Sequence, residues 1–343
     1  MTDRVPEAVL VERRARGLPR SPLQLNGLGQ SDAELLRLPG TDLLLAVTTD
    51  AIVEEIEAGL YRDPWLIGWM TVIASASDLG AVGADPLGIL VSQTLPVSLD
   101  PAWEVGLQAG IRAACEACGL FLLGGDTSSS ESIHLESTAV GTVPSGEAML
   151  RSGAAPGDAL IATGPLGLGS AFGAEALDMW HDHAPIRFRP TARLREGTLL
   201  RRFARCCMDT SDGALATLDE LMLRSHVGFR LTVPVSRLLH PAAADFARTL
   251  GLPSWVPLAG PHGEFELVCT IPQSRLAPFR AAAEAAGIAC IHLGVVTRGP
   301  GLILSPADGS RRLPTGRIRR LAERAAEDTG AFLAELLEID RDS

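Results

Sequence analysis

The sequence predicts an α/β protein, with α+β layering, built as two domains. Three observations carry this. The chain has 343 residues, more than one hydrophobic core usually serves. Its 46% hydrophobic content can fill two cores. Apolar runs of strand length alternate with helical patterns along the whole chain.

The elements follow in order. Asp42–Val47 is a strand. Trp65–Val82 is a helix whose Ala, Ser and Gly residues allow close packing. Leu87–Leu95 is a strand. Asp100 caps a helix with Pro101 at its first position, and Gly119 ends it. Strands Leu120–Leu123 and Ile133–Val143 come next. The polar segment SGEAMLRSGAAPGD marks the boundary, giving domains 1–148 and 149–343. The second opens with strand Ala159–Thr163 and the turn GPLGLG. That turn lacks the spacing and the following acid of a dinucleotide fingerprint. Later strands are Cys206–Asp209, Phe229–Val233, Phe265–Ile271, Ala289–Val296 and Leu302–Leu304. One long amphipathic helix, Gly316–Glu338, closes the chain.

Composition excludes several functions. Net charge is −11, and all 30 basic residues are arginine. An acidic chain without a basic run is a poor partner for nucleic acid or an anionic membrane surface. No apolar run approaches the roughly 20 residues that cross a bilayer, and the N-terminus lacks a signal-peptide core. The expected location is the cytoplasm. Cys115 and Cys118 form a CxxC without a second pair, so with Cys206, Cys207, Cys269 and Cys290 they read as packing.

The chemistry lies in the acids. AVTTD ends at Asp50, LLGGD at Asp126, and MDTSDG carries Asp209 and Asp212. SASD places Asp78 on the small-residue helix, and GLGQSD places Asp32 on a loop. Strand ends in α/β layers are where ligand crevices form. Carboxylates about 4 Å apart repel by roughly 4 kcal/mol at an effective dielectric of 20, so a converging set needs a cation. Hard oxygen ligands point to Mg²⁺, which binds alongside phosphates. Thr48, Thr49 and Ser211 add hydroxyls, and Gly124 and Gly125 admit a phosphate to the backbone. Without lysine there is no GxxxxGK loop. Arg151 and the run FRPTARLREG are the candidate positive charges.

Smaller signals are read structurally. Trp180, His181, Asp182 and His183 could form a metal hook but read better as surface. Arg317, Arg319 and Arg320 read as a solvated helix face. Trp65 and Trp69 read as core or interface.

The ordered motifs GLGQSDAELL, TTDAIVEE, ASDLGAVGADPL, LLGGDTS, LRSGAAPGDALIATGPLG, RPTAR, MDTSDG and HGEFELVCTIP resemble the thiamine-monophosphate kinase family. That family lies in the aminoimidazole-ribonucleotide-synthetase superfamily. The resemblance spans about residue 27 to about 296. It implies ATP and several Mg²⁺ between two α/β domains, and a homodimer whose N-terminal sheets pair. It makes Asp32, Thr48, Thr49, Asp50, Asp78, Asp126, Asp209 and Asp212 metal ligands. Asp50, Asp126, Asp209 and Asp212 are the leading catalytic candidates. Arg151, Ser211, Gly124 and Gly125 would contact the nucleotide.

Departures gather on the acceptor side. VEGxHF becomes VEEIEA, with Glu57 in the histidine position. GGEDYEL becomes PHGEFEL, with Gly263 and Glu264 in place of Glu and Asp. His262 and Glu264 therefore join Glu57 as substrate candidates. Phe332 is the only late aromatic. On the metal side Ser31 replaces an acid and Ser75 an asparagine. The expected activity is ATP- and Mg-dependent transfer of the γ-phosphoryl group to a small phosphorylated acceptor, thiamine monophosphate foremost. Two other readings use the same residues: phosphorylation of an amide-type oxygen with dehydration or cyclisation, and a nucleotide-binding regulator without turnover.

Overall fold

The computed structural model describes residues 7–181, 183–322, 325 and 328–342. After helix α1 (Glu7–Ala15), the N-terminal half is built from β1 (Glu34–Arg37), β2 (Leu43–Ala51), α2 (Val53–Glu57), α3 (Pro64–Val82), β3 (Asp85–Leu95), α4 (Pro101–Cys118), β4 (Leu122–Ser129) and β5 (His134–Pro144). Its sheet runs β1-β2-β5-β3-β4, antiparallel except for the β3–β4 pair that the α4 crossover joins.

Helix α3 is the spine of this half. Asp63 caps it by accepting from the Trp65 N–H, and Gly83 ends it in the left-handed region. A Cβ on Gly68 would overlap the Leu107 carbonyl, and one on Gly110 would overlap that of Trp65. The α3–α4 approach therefore requires glycine at both positions. Contrary to the expectation from sequence, α3 has the length and apolarity to span a bilayer. It is instead the core helix, with 78% of its most apolar window buried.

The C-terminal half contains β6 (Ala159–Ala162), α5 (Leu168–Ala176), α6 (Leu194–Leu200), β7 (Cys206–Asp209), α7 (Ala214–Ser225), β8 (Gly228–Leu231), α8 (Pro241–Thr249), β9 (Leu267–Ile271), α9 (Gln273–Ala286), β10 (Ile291–Thr297), β11 (Gly301–Ile303), β12 (Arg312–Leu313), α10 (Thr315–Ala322) and α11 (Thr329–Asp342). Its sheet order is β12-β11-β8-β10-β6-β9-β7. Strands β6, β7 and β9 are buried at every position, which explains their continuous apolar runs. The connector from 145 to 158 touches both halves: Met149 N–H donates to Val82, Arg151 N–H to Gln30, and Cys207 N–H to Leu150.

Three expectations are corrected. Strand β4 does not stop at GGD but runs through it to Ser129. Strand β2 likewise continues past Asp50 to Ala51. Inter-strand hydrogen bonds to β3 and β5 hold these polar residues extended despite their low strand propensity. The closing helix is two helices, because Asp328 caps a new start by accepting from the Ala331 N–H. Each half then packs on the core, through Ile318 and through Leu336 and Ile339. Phe332 packs against that same core.

Candidate functional site

Three acids from distant segments meet. Asp32 comes from the loop before β1, Asp78 from α3 and Asp209 from the end of β7. Their carboxylate oxygens lie within 4.8 Å of one another. Hydroxyls fix the geometry. Thr48 Oγ1 donates to Asp78 at 2.5 Å, Ser77 Oγ to Asp209 at 2.5 Å, and Ser211 Oγ to Asp209 at 2.8 Å. Ser77 and Asp78 are neighbours on α3, so one turn of helix both supplies an acid and orients another.

Arg151 is the counter-charge, with Nη2 3.1 Å from Asp32 Oδ1. It leaves Asp32 Oδ2 buried and without a partner, and its own Nε is in the same condition. Burial pushes the Asp32 carboxyl up to about 6, against the pull of Arg151 and with a further push from Asp209. Asp78 is held well above the usual carboxylate range, first by burial and then by Asp50, Asp209 and Asp32. Three converging carboxylates, one with an orphaned oxygen, form an all-oxygen ligand set that fits a hard divalent cation.

The other predicted residues divide by sheet face. Strand alternation puts Thr48 and Asp50 on the face covered by α3, where Asp50 acts on Asp78. Thr49 points the other way, and its hydroxyl donates to the Ser137 carbonyl. Its side chain therefore does not join the acids. Neither does Asp126. It pairs in register with Ser92, one residue beyond the pairing of buried Val91 with exposed Gly125, and is itself exposed on edge strand β4. Gly125 has a packing role, since a Cβ there would overlap the Val91 carbonyl, whereas Gly124 has open space around it. Asp212 is exposed in the turn before α7 and acts electrostatically on Glu55. Ser31 and Ser75, which stand where the resemblance expects Asp and Asn, sit in hydrogen-bond networks. Ser31 donates to the Ala33 carbonyl and accepts from Asn26, and Ser75 pairs with Ser137.

The acceptor side differs from the sequence reading. Glu57 is exposed. Glu55, two residues earlier, is the acid that turns inward; its Oε2 is buried and unpartnered. His262 is 9% exposed among Tyr61, Phe172 and Phe188, and Tyr61 Oη lies 3.3 Å from its Nε2. Burial lowers its pKa to about 4, so it is neutral at physiological pH. Glu264 accepts from the Gly167 N–H at 2.7 Å, at the start of α5. Burial, then Glu266, push its carboxyl up to about 8. Gly263 has no room for any side chain, because a Cβ would overlap the Thr210 carbonyl beside Asp209.

The arginines of FRPTAR are committed elsewhere. Arg193 pairs with Glu266, which also accepts from Thr163 Oγ1 at 2.6 Å. Arg189 stacks on Trp65 at 4.0 Å. Trp65 in turn stacks on Trp69, whose indole donates to Pro190, so both are structural. Arg319 is not on a solvated face: it pairs with Glu220 at 2.6 Å and ties α10 to α7. His183 stacks on Trp180 with its ring nitrogens against the Trp180 and Ala184 carbonyls. Asp182 lies outside the described residues. Glu55 is the residue that motif reading missed, because in VEEIEA it is one of three glutamates that the sequence alone does not tell apart.

Comparison with known proteins agrees with this architecture. Residues 30–143 match the AIR synthase related protein N-terminal domain, and residues 155–305 match its C-terminal domain. A thiamine-monophosphate kinase of Methanospirillum hungatei is 32% identical over 247 residues, covering 71% of this chain and 80% of its own. The crystal structure of thiamine-monophosphate kinase from Stenotrophomonas maltophilia is 27% identical, with a TM-score of 0.67 over 88% of this chain and 96% of that one. AaThiL complexed with AMPPCP and TMP shares the fold, with 24% identity and a TM-score of 0.71 over 86% of this chain and 91% of its own. Fold and site thus define an AIR synthase-related protein. Within that class, the chain belongs to the thiamine-monophosphate kinase family, which places it among the ATP-dependent small-molecule kinases.

Proposed function

We propose that this protein transfers the γ-phosphoryl group of ATP to thiamine monophosphate, with Mg²⁺ held by Asp32, Asp78 and Asp209. The observation that carries the reading is the converging trio, Asp209 buried and Asp32 and Asp78 partly so, with its orphaned oxygen. Asp50, two residues beyond Thr48 on the same face, adds charge to the pocket. A bound divalent ion would offset the charge of two approaching anions and help to position them. The chain's own part is orientation. Ser77, Thr48 and Ser211 fix the carboxylates, and Arg151 leaves Asp32 to meet phosphate oxygens once a cation takes its place. The bond from the γ-phosphorus to the β-bridging oxygen breaks. A new bond forms to an acceptor phosphate oxygen, which is already anionic and needs no strong base, and ADP departs.

The family relatives bear the name thiamine-monophosphate kinase, and the ThiL neighbour is a complex with AMPPCP and TMP; this supports ATP and thiamine monophosphate as the pair. We also propose a cytoplasmic homodimer formed across β4. Phe121, Leu122 and Leu123 are 74%, 62% and 53% exposed there, more apolar surface than an edge strand safely leaves in water.

The test is ADP release from purified protein with ATP, Mg²⁺ and thiamine monophosphate, with the product identified by mass. The expected result is thiamine diphosphate and ADP in equal amounts, abolished by chelation. ADP and free phosphate without a phosphorylated acceptor would overturn it.

A further inference from the structure

Buried polar atoms without partners mark where a protein expects something else, since native folds pair nearly all such groups. Asp32 Oδ2 and Arg151 Nε belong to the carboxylate pocket, and the Trp180 ring N–H lies apart in the C-terminal core. Glu55 Oε2, Glu264 Oε1 and Arg193 Nε remain. Arg193 already pairs with Glu266 and Glu196. That leaves two carboxyls, one from each half of the chain.

Tyr61 links them. Its ring feels the charge of Glu55, its hydroxyl meets His262, and Glu264 is two residues beyond His262. Glu264 is only 5% exposed, so its open oxygen is cut off from bulk water. Glu55 is worse placed. Helix α2 follows β2 directly and brings it near Asp50 and Asp212, and the charges acting on it most, those two and Glu54, are all acidic. A half-buried carboxyl among acids is unfavourable until a positive group arrives. In the VEGxHF pattern that this segment resembles, the position of Glu55 is glycine. The acid is therefore a departure of this chain.

We propose that Glu55 is a specificity-determining residue for the acceptor: its carboxylate receives the positively charged ring of a cationic phosphomonoester, and Glu264 supplies the facing polar wall. The inference rests on the phosphotransfer reading above, in which the thiazolium ring of thiamine monophosphate is that cation. It also explains how the site can do without a histidine at position 57. A neutral donor would give way to a charge of opposite sign to the ligand's, placed one half-turn earlier on α2.

The experiment is steady-state kinetics of wild type, Glu55→Gln, Glu55→Asp and Glu55→Gly with MgATP and thiamine monophosphate. Loss of a charge-assisted contact is expected to raise KM for thiamine monophosphate about tenfold or more in the Gln and Gly proteins. Asp should restore part of it. KM for MgATP and the Mg²⁺ activation midpoint should stay within about twofold, because Glu55 is assigned to the acceptor alone. Thermal melting of the near-isosteric Gln protein checks the fold, and the Gly protein repeats the test with the family's own residue. An unchanged acceptor KM in both would overturn the proposal. So would a shift of the Mg²⁺ midpoint in place of the acceptor KM, which would make Glu55 a metal ligand. Wild-type protein inactive with thiamine monophosphate would instead remove the phosphotransfer reading, and this inference with it.

Discussion

Asp209 and Asp126 look alike in the sequence. Each follows an apolar strand-like run, and each is trailed by hydroxyl residues. In the folded chain they have opposite fates. Asp209 is 1% exposed, accepts from Ser77 and Ser211, and sits with Asp32 and Asp78. Asp126 is exposed on an edge strand. The difference lies not in the local motif but in what covers it. Strand β7 ends against α3 and the loop of Asp32, whereas β4 is an exposed edge strand with no described residue of its own chain covering Asp126. An acid at a strand end becomes a candidate ligand only when another element brings a second acid to it.

The largest effect is expected at Asp209. Asp209→Asn should lower turnover by at least about a thousandfold, as losing a metal-holding carboxylate does, with circular dichroism unchanged. Asp126→Asn in parallel should cost less than about tenfold. Equal losses would require a second copy of the chain to carry Asp126 to the pocket, and a sedimentation measurement on the same samples would check that.

Next comes Gly263→Ala. The added methyl must displace the Thr210 backbone next to Asp209, so unfolding in urea should show a loss of about 3 kcal/mol. A neutral result would mean that the loop of His262 is not clamped to the metal turn.

Acid pH should weaken Mg²⁺ binding. Asp32 titrates near 6 and Asp78 above the usual range, so protons compete with the cation below neutrality. Calorimetric titration should give affinity falling about tenfold per pH unit between about 7 and 5, if one proton leaves per ion bound. Flat affinity across that window would place the ion elsewhere.

A subtler effect belongs to Glu264. Its folded pKa of about 8 lies above the ordinary 4.5, so the folded state keeps a proton that the unfolded state loses. Stability should therefore decline as pH rises from about 4.5 to 8, and Glu264→Gln should flatten that slope in thermal melts. The smallest effect is expected at Thr49. Thr49→Val should leave kcat within about threefold, because its hydroxyl faces away from the acids.

Much of this was legible without coordinates. Alternating apolar runs and the Asp100–Pro101 start and Gly119 stop of α4 are local signals with local causes, and α4 appears where read. The hydroxyl-to-acid bonds were not legible: the sequence reading made Thr48 a metal ligand and left Ser77 aside, whereas both donate to acids far along the chain. Side-chain direction was harder. Thr48 and Thr49 are adjacent and chemically identical, yet only alternation within a sheet of known covered face separates them. Glu57 drew attention by aligning with a histidine, while Glu55 turned inward because α2 is short and rotates successive residues by about 100°. The break between α10 and α11 rests on one cap, at Asp328, inside an otherwise continuous amphipathic pattern.

The inventory follows from residue order alone: strands, helices, acids on polar turns, and an all-arginine positive set that rules out lysine-based phosphate binding. Which acids converge, which arginines are spent on Glu266 and Trp65, and which carboxyl oxygens lie buried and unsatisfied depend on how the two halves pack. The physical reason is range. Propensity and capping act over a few residues, but the field that lifts Asp78 comes from Asp32, Asp50 and Asp209, residues that only the packing of β2, β7 and the Asp32 loop around α3 brings close enough to repel.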